Sequence, residues 1–84
     1  MQIKYTKNAA EDICYWKNKN KKVYNRIRIL IENIKLSPFE GIGKPEALKH
    51  SLKGKWSRRI TQEHRLVYEV LKKEIIILQC RFHY

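Results

Sequence analysis

Eighty-four residues with 43% hydrophobic content suffice for one small core and leave no room for a second domain. Nineteen Lys and Arg against eight Asp and Glu give a net charge of +11, shared between residues 1–39 (nine bases, three acids) and 40–84 (ten bases, five acids), so the excess is no tail. No apolar run approaches the roughly 18 residues of a membrane span, and Met1-Gln2-Ile3-Lys4-Tyr5, with no charged region before an apolar stretch, is not expected to open a signal peptide.

These features predict a cytoplasmic protein with a polyanionic partner, nucleic acid ahead of an acidic protein. Cys14 and Cys80 are too few for a disulfide framework and lack partners at metal-site spacing, so both are expected as buried free thiols.

Met1, Ile3 and Tyr5 alternate with polar residues and predict a short first strand. Ala9, Ala10, Ile13 and Cys14 fall at helical spacing and predict a helix over 7–16, followed by the polar break Asn18-Lys19-Asn20. Val23, Tyr24, Ile27, Leu30, Ile31 and Ile34 form one stripe of a second helix that stops at Ser37-Pro38. Residues 40–55 hold all three glycines and are irregular, with Pro45 placed to open a short helix over 45–52. Three strands follow, over 56–61, 64–70 and 75–81. The middle one turns Leu66, Tyr68 and Val70 to the core and Arg65, Val67 and Glu69 away. Ile75-Ile76-Ile77-Leu78 is apolar on both faces, so the last strand should lie centrally, with Gln79, Arg81 and His83 on one side. The element order predicts an α+β fold in which helices cover one face of a mostly antiparallel sheet.

Gly41-Ile42-Gly43-Lys44-Pro45 lacks the spacing of a nucleotide-binding loop, and Pro follows the Lys where Ser or Thr should hold magnesium. His50, His64 and His83 have no metal-site spacing, so neither metal nor cofactor is expected. The remaining residue types suit metal-free RNA cleavage, which needs a base for the ribose 2′-OH, a cation for the phosphate and an acid for the 5′-oxygen. Glu46, Arg65 and His83 can supply these roles, although spacing does not establish that they converge. A solvated strand face and an acidic helix start remain open readings of the same residues.

The blocks Pro38-Phe39-Glu40-Gly41-Ile42-Gly43-Lys44-Pro45-Glu46-Ala47-Leu48-Lys49-His50, Gly54-Lys55-Trp56-Ser57-Arg58-Arg59-Ile60, Glu63-His64-Arg65-Leu66-Val67-Tyr68 and Cys80-Arg81-Phe82-His83-Tyr84 resemble the YoeB toxins of the RelE superfamily of bacterial type II toxin–antitoxin systems. The resemblance spans the whole chain; Phe82 departs from it, standing where those toxins carry a second Tyr. It implies a RelE-like, microbial-ribonuclease-like fold and a ribosome-dependent endonuclease that cuts messenger RNA in the ribosomal A site. It further implies Glu46 as general base, His83 as general acid, Arg65 at the phosphate, Tyr84 completing the site, and Lys49 and Arg59 holding RNA. The implied partners are messenger RNA, the ribosome and a YefM-like antitoxin with an acidic C-terminal segment, with operator DNA reached only through the antitoxin complex and homodimerisation left open. A basic RNA- or ribosome-binding module without catalysis, or a toxin-derived corepressor, are the competing readings.

Overall fold

The computed structural model describes residues 1–83. Strand β1 (Gln2–Tyr5) runs into Thr6, whose hydroxyl accepts the Ala9 N–H at 3.0 Å and donates to the Leu78 carbonyl at 2.9 Å. This caps helix α1 (Lys7–Lys19) and ties its start to the sheet. The helix runs past the predicted end at residue 16 because Asn20, not Asn18, is the break. The Asn20 N–H closes α1 on the Trp16 carbonyl at 2.8 Å, and its side-chain oxygen accepts the N–H groups of Lys22 and Val23 to open α2 (Lys21–Leu36). A cap of this kind contributes about 1 kcal/mol. In α2 the expected stripe is buried at Val23, Ile27, Leu30, Ile31 and Ile34, with Tyr24 half-buried at its edge, and the helix ends before Ser37.

The helix expected over 45–52 does not form. Glu46–Ala47 pairs with the following strand as β2, and only His50–Leu52 makes a 3₁₀ turn. Edge pairing satisfies the backbone here: Glu46 stands opposite Ser57, and the Leu48 N–H donates to the Lys55 carbonyl at 2.9 Å. His50 at φ +59° is incompatible with a continuing right-handed helix. Strands β3 (Lys55–Arg59), β4 (Arg65–Val70) and β5 (Glu74–Gln79) complete a sheet of order β1-β5-β4-β3-β2. Every neighbouring pair is antiparallel except β1 with β5. The last strand lies inside the sheet, as its two-faced apolar run requires, but β4 is the middle strand and β5 ends at Gln79, short of Arg81.

Both helices pack on one face. Ala9, Trp16, Ile27, Leu30 and Ile34 meet Leu66, Tyr68, Ile75 and Ile77 in a core where burying each large aliphatic contributes about 1.5–3 kcal/mol. Cys80 joins this core as expected, but Cys14 is exposed. No helix among the described residues is long and apolar enough to cross a membrane.

Arg58 also points to the core side and is fully buried. Its five N–H donors are all used: Nε on Tyr68 Oη, Nη1 on Asn33 Oδ1 and the Ile42 carbonyl, and Nη2 on the carbonyls of Ser37 and Glu40, at 2.6–3.1 Å. The Tyr68 hydroxyl donates in turn to the Pro38 carbonyl at 2.6 Å. One guanidinium thus fastens the loop after α2 to the sheet, and burial raises the Tyr68 phenol above its ordinary pKa against the opposing pull of Arg58. The close approach requires glycine at position 41, where φ is +119° and a Cβ would strike Asn33.

Candidate active site

The face of the sheet away from the helices gathers the polar and charged residues singled out in the sequence. Across it, Glu46 stands opposite Ser57, Ser57 opposite Val67, and Val67 opposite Gln79, a row crossing β2, β3, β4 and β5. Arg59 and Arg65 face each other two residues further along β3 and β4. Beside this row lies a cleft of about 340 Å³ lined by Lys44, Pro45, Glu46, Ser57, Arg59, Arg65 and His83. Ser57 and Val67 are only 2% exposed although they point away from the core.

Each wall has its own support. The Arg59 N–H donates to the Gly43 carbonyl at 2.7 Å, which lays the Lys44–Pro45–Glu46 segment along β3. Gly43 has φ +80°, and a Cβ there would press on Leu30 and the Arg59 carbonyl. Arg65 is half-buried, and its Nη1 donates to the carbonyls of Thr61, Gln62 and His64 at 2.9, 3.0 and 3.2 Å. One nitrogen anchored three times fixes the plane of the guanidinium and the direction of its fork.

The third wall depends on a bulge. Val67 stands opposite Gln79 but Tyr68 opposite Ile77, so β5 contains one extra residue, Leu78. The bulge reverses the alternation of β5: Ile75 and Ile77 face the core, Gln79 faces the open side, and Cys80 returns to the core. There α1 holds Cys80 at both backbone groups, Trp16 Nε1 donating to its carbonyl at 2.8 Å and Asp12 accepting its N–H at 3.0 Å. Burial pushes the Cys80 thiol far up from its ordinary pKa, and Asp12 adds to the shift.

The chain then turns at Phe82, with φ +63°. The Phe82 carbonyl accepts the Arg65 N–H at 3.0 Å, and its own N–H donates to His64 Nδ1 at 2.8 Å. Arg81 does not join Arg65 and His83 on the open face as strand alternation predicts. Because the strand ends at Gln79, its guanidinium lies 3.6 Å over the Tyr15 ring and 4.5 Å from that of Phe82.

Of the residues singled out in the sequence, Glu46, Arg59, Arg65 and His83 thus meet in one cleft. Lys49 lines an adjoining groove with Glu46 and His50, and Tyr84 lies outside the described residues. Sequence reasoning missed Lys44 and Ser57 in the cleft and His64 behind the C-terminal turn. Alternation along β3 through Arg59 would have found Ser57. Glu46 is a residue of strand β2, not the acidic start of a helix. Three cations and a histidine facing one carboxylate make the cleft attractive to anions. No group of three or more His, Cys, Asp or Glu able to hold a metal ion occurs among the described residues.

Residues 5–84 match the YoeB-like toxin of bacterial type II toxin–antitoxin systems. The chain is 46% identical over 84 residues to Toxin YoeB of Escherichia coli (strain K12), with all of both chains covered. A solved YoeB/ParE toxin from Agrobacterium tumefaciens has TM-score 0.97 at 43% identity, again over all of both chains. A YoeB dimer from Staphylococcus aureus has TM-score 0.92 and the heterotetrameric YoeB-YefM complex from that organism 0.91, both at 44% identity over all of this chain and 98% of theirs. A full-length match in sequence and in fold leaves one assignment: the chain belongs to the YoeB-like toxin family of bacterial type II toxin–antitoxin systems.

Proposed function

We propose that this chain is a cytoplasmic, ribosome-dependent endoribonuclease that cuts messenger RNA in the ribosomal A site and thereby stops translation. The observation that carries the reading is the meeting of Glu46, Arg65 and His83 in one cationic cleft. Glu46 takes the proton of the ribose 2′-OH, and the resulting oxygen attacks the adjacent phosphorus. Arg65, its plane fixed by three carbonyls, stabilises the added negative charge in the transition state. His83 gives its proton to the departing 5′-oxygen, so the products are a 2′,3′-cyclic phosphate and a 5′-hydroxyl. A base, a fixed cation and an acid make a mechanism that does not call on a metal. Tyr84 is assigned to the site through the resemblance alone, and Arg59 and Lys49 hold the RNA strand on either side of Glu46.

A YefM-like antitoxin is the proposed inhibitor, its acidic segment drawn to a chain of net charge +11. The staphylococcal complex offers the precedent for that partnership, and the staphylococcal dimer for self-association. The test is cleavage on programmed ribosomes of a message carrying a single 2′-deoxynucleotide at the cut site. The mechanism predicts that this position alone becomes resistant and that cuts elsewhere end in cyclic phosphate. Cleavage at the deoxy position rules out attack by the 2′-oxygen, and ribosome binding without any cleavage favours a binding module.

A further inference from the structure

We propose that Gln79 is the positioning residue for His83, an assignment that rests on the reading of His83 as the general acid. By sequence alone Gln79 is a polar residue within the last strand, sharing a face with Arg81 and His83. The bulge at Leu78 places it opposite Val67 on the open face, in the same cross-strand row as Glu46. Its side-chain nitrogen donates to the Arg81 carbonyl at 3.1 Å and to the His83 carbonyl at 3.0 Å. Those carbonyls lie on either side of Phe82, the residue forced into the left-handed region that non-glycine residues rarely occupy.

One carboxamide therefore grips both limbs of the turn that aims His83 into the cleft. The orientation of the amide is dictated by its surroundings, since its oxygen would be repelled by both carbonyls. Two further bonds, the Arg65 N–H on the Phe82 carbonyl and the Phe82 N–H on His64, hold the apex of the turn. A general acid must stand within hydrogen-bond reach of the leaving oxygen, and a displacement of about 1 Å can cost 10²-fold in rate. Fixing the backbone of the acid is the function this geometry gives to Gln79.

The test is Gln79→Met, similar in length and shape but without the donors, compared with wild type and His83→Gln. Nitrogen-15 relaxation reports the order of the Phe82 and His83 amides, and single-turnover cleavage on ribosomes reports the rate. The proposal predicts a fall in the His83 order parameter from about 0.85 to below 0.6. It also predicts a kcat reduced by about 10-fold or more with KM within about two-fold, at an unchanged melting temperature. Gln79→Glu, which removes the donors in a second way, should behave alike. Undiminished order at His83 overturns the proposal whether or not the wild type cuts RNA. Loosened amides with full kcat overturn it as well, by separating the turn from the chemistry. A wild type that cuts no RNA while the variant's terminal amides loosen removes the nuclease reading and leaves the hold of Gln79 on His83 supported.

Discussion

Arg59 and Arg65 stand directly opposite each other on neighbouring strands, two guanidinium-bearing side chains on one face of the sheet. Like charges in this relation oppose strand pairing by about 0.2–1 kcal/mol, and an anion lying between them removes the penalty. Such a pair makes this face of the sheet attractive to anions. Arg59→Gln should therefore leave the melting temperature unchanged or slightly raised while weakening RNA binding and flattening its salt dependence. Thermal melts and a salt titration of binding check this. A large loss of stability would mean that Arg59 serves the fold.

Some of this arrangement is legible in the sequence and some is not. The α2 stripe from Val23 to Ile34 reads directly, because a helix buried on one face must repeat every three to four residues. The convergence of Glu46, Arg65 and His83 is not written in their spacing; only the resemblance to a toxin family brings them together beforehand. The short helix expected after Pro45 fails because a long-range partner, β3, satisfies the backbone better than a local turn does. The bulge at Leu78 is invisible because four consecutive apolar residues carry no alternation to reverse. Nothing in Arg58-Arg59 announces that the first is fully buried and the second faces the cleft; the alternation of β3, once its pairing with β4 is known, decides it.

Arg58 should be a sensitive position of the fold. Its buried cation has no carboxylate partner among the described residues, and neutral oxygens on five residues receive its donors. Arg58→Ala leaves those acceptors unsatisfied, and Arg58→Lys cannot reproduce the planar fork. We expect losses of about 3–5 kcal/mol in urea denaturation for Ala, enough to unfold most of a domain this size at 37 °C. A loss below about 1 kcal/mol would show that water replaces the guanidinium.

The two thiols should react very differently. Cys14 is exposed and should be alkylated within minutes in native protein, whereas Cys80 should react only on unfolding. The raised thiol pKa of Cys80 also sets a sign for pH dependence. The folded state keeps a proton that the unfolded state releases above about 8.5, so the contribution is present below that pH and is lost as pH climbs further. Cys80→Ala should melt lower at pH 7 because it leaves a small cavity, yet lose less stability than wild type between pH 8.5 and 10.5. Equal alkaline slopes in the two proteins would contradict the assignment.

His83 is exposed beyond the last strand and outside the core, so chemistry and stability should separate there. His83→Gln should lower cleavage by about 10²-fold or more, with the melting temperature and antitoxin binding retained. Full activity in this variant would remove His83 from the role of acid.

The central claim is catalysis by the Glu46 cleft on the ribosome, and primer extension on a translated message tests it most directly, with purified ribosomes and either wild type or Glu46→Ala. The account predicts discrete cuts within A-site codons that vanish in the mutant while the mutant still binds ribosomes. Cuts that persist undiminished in Glu46→Ala, or their absence with well-folded wild-type protein free of antitoxin, would contradict it.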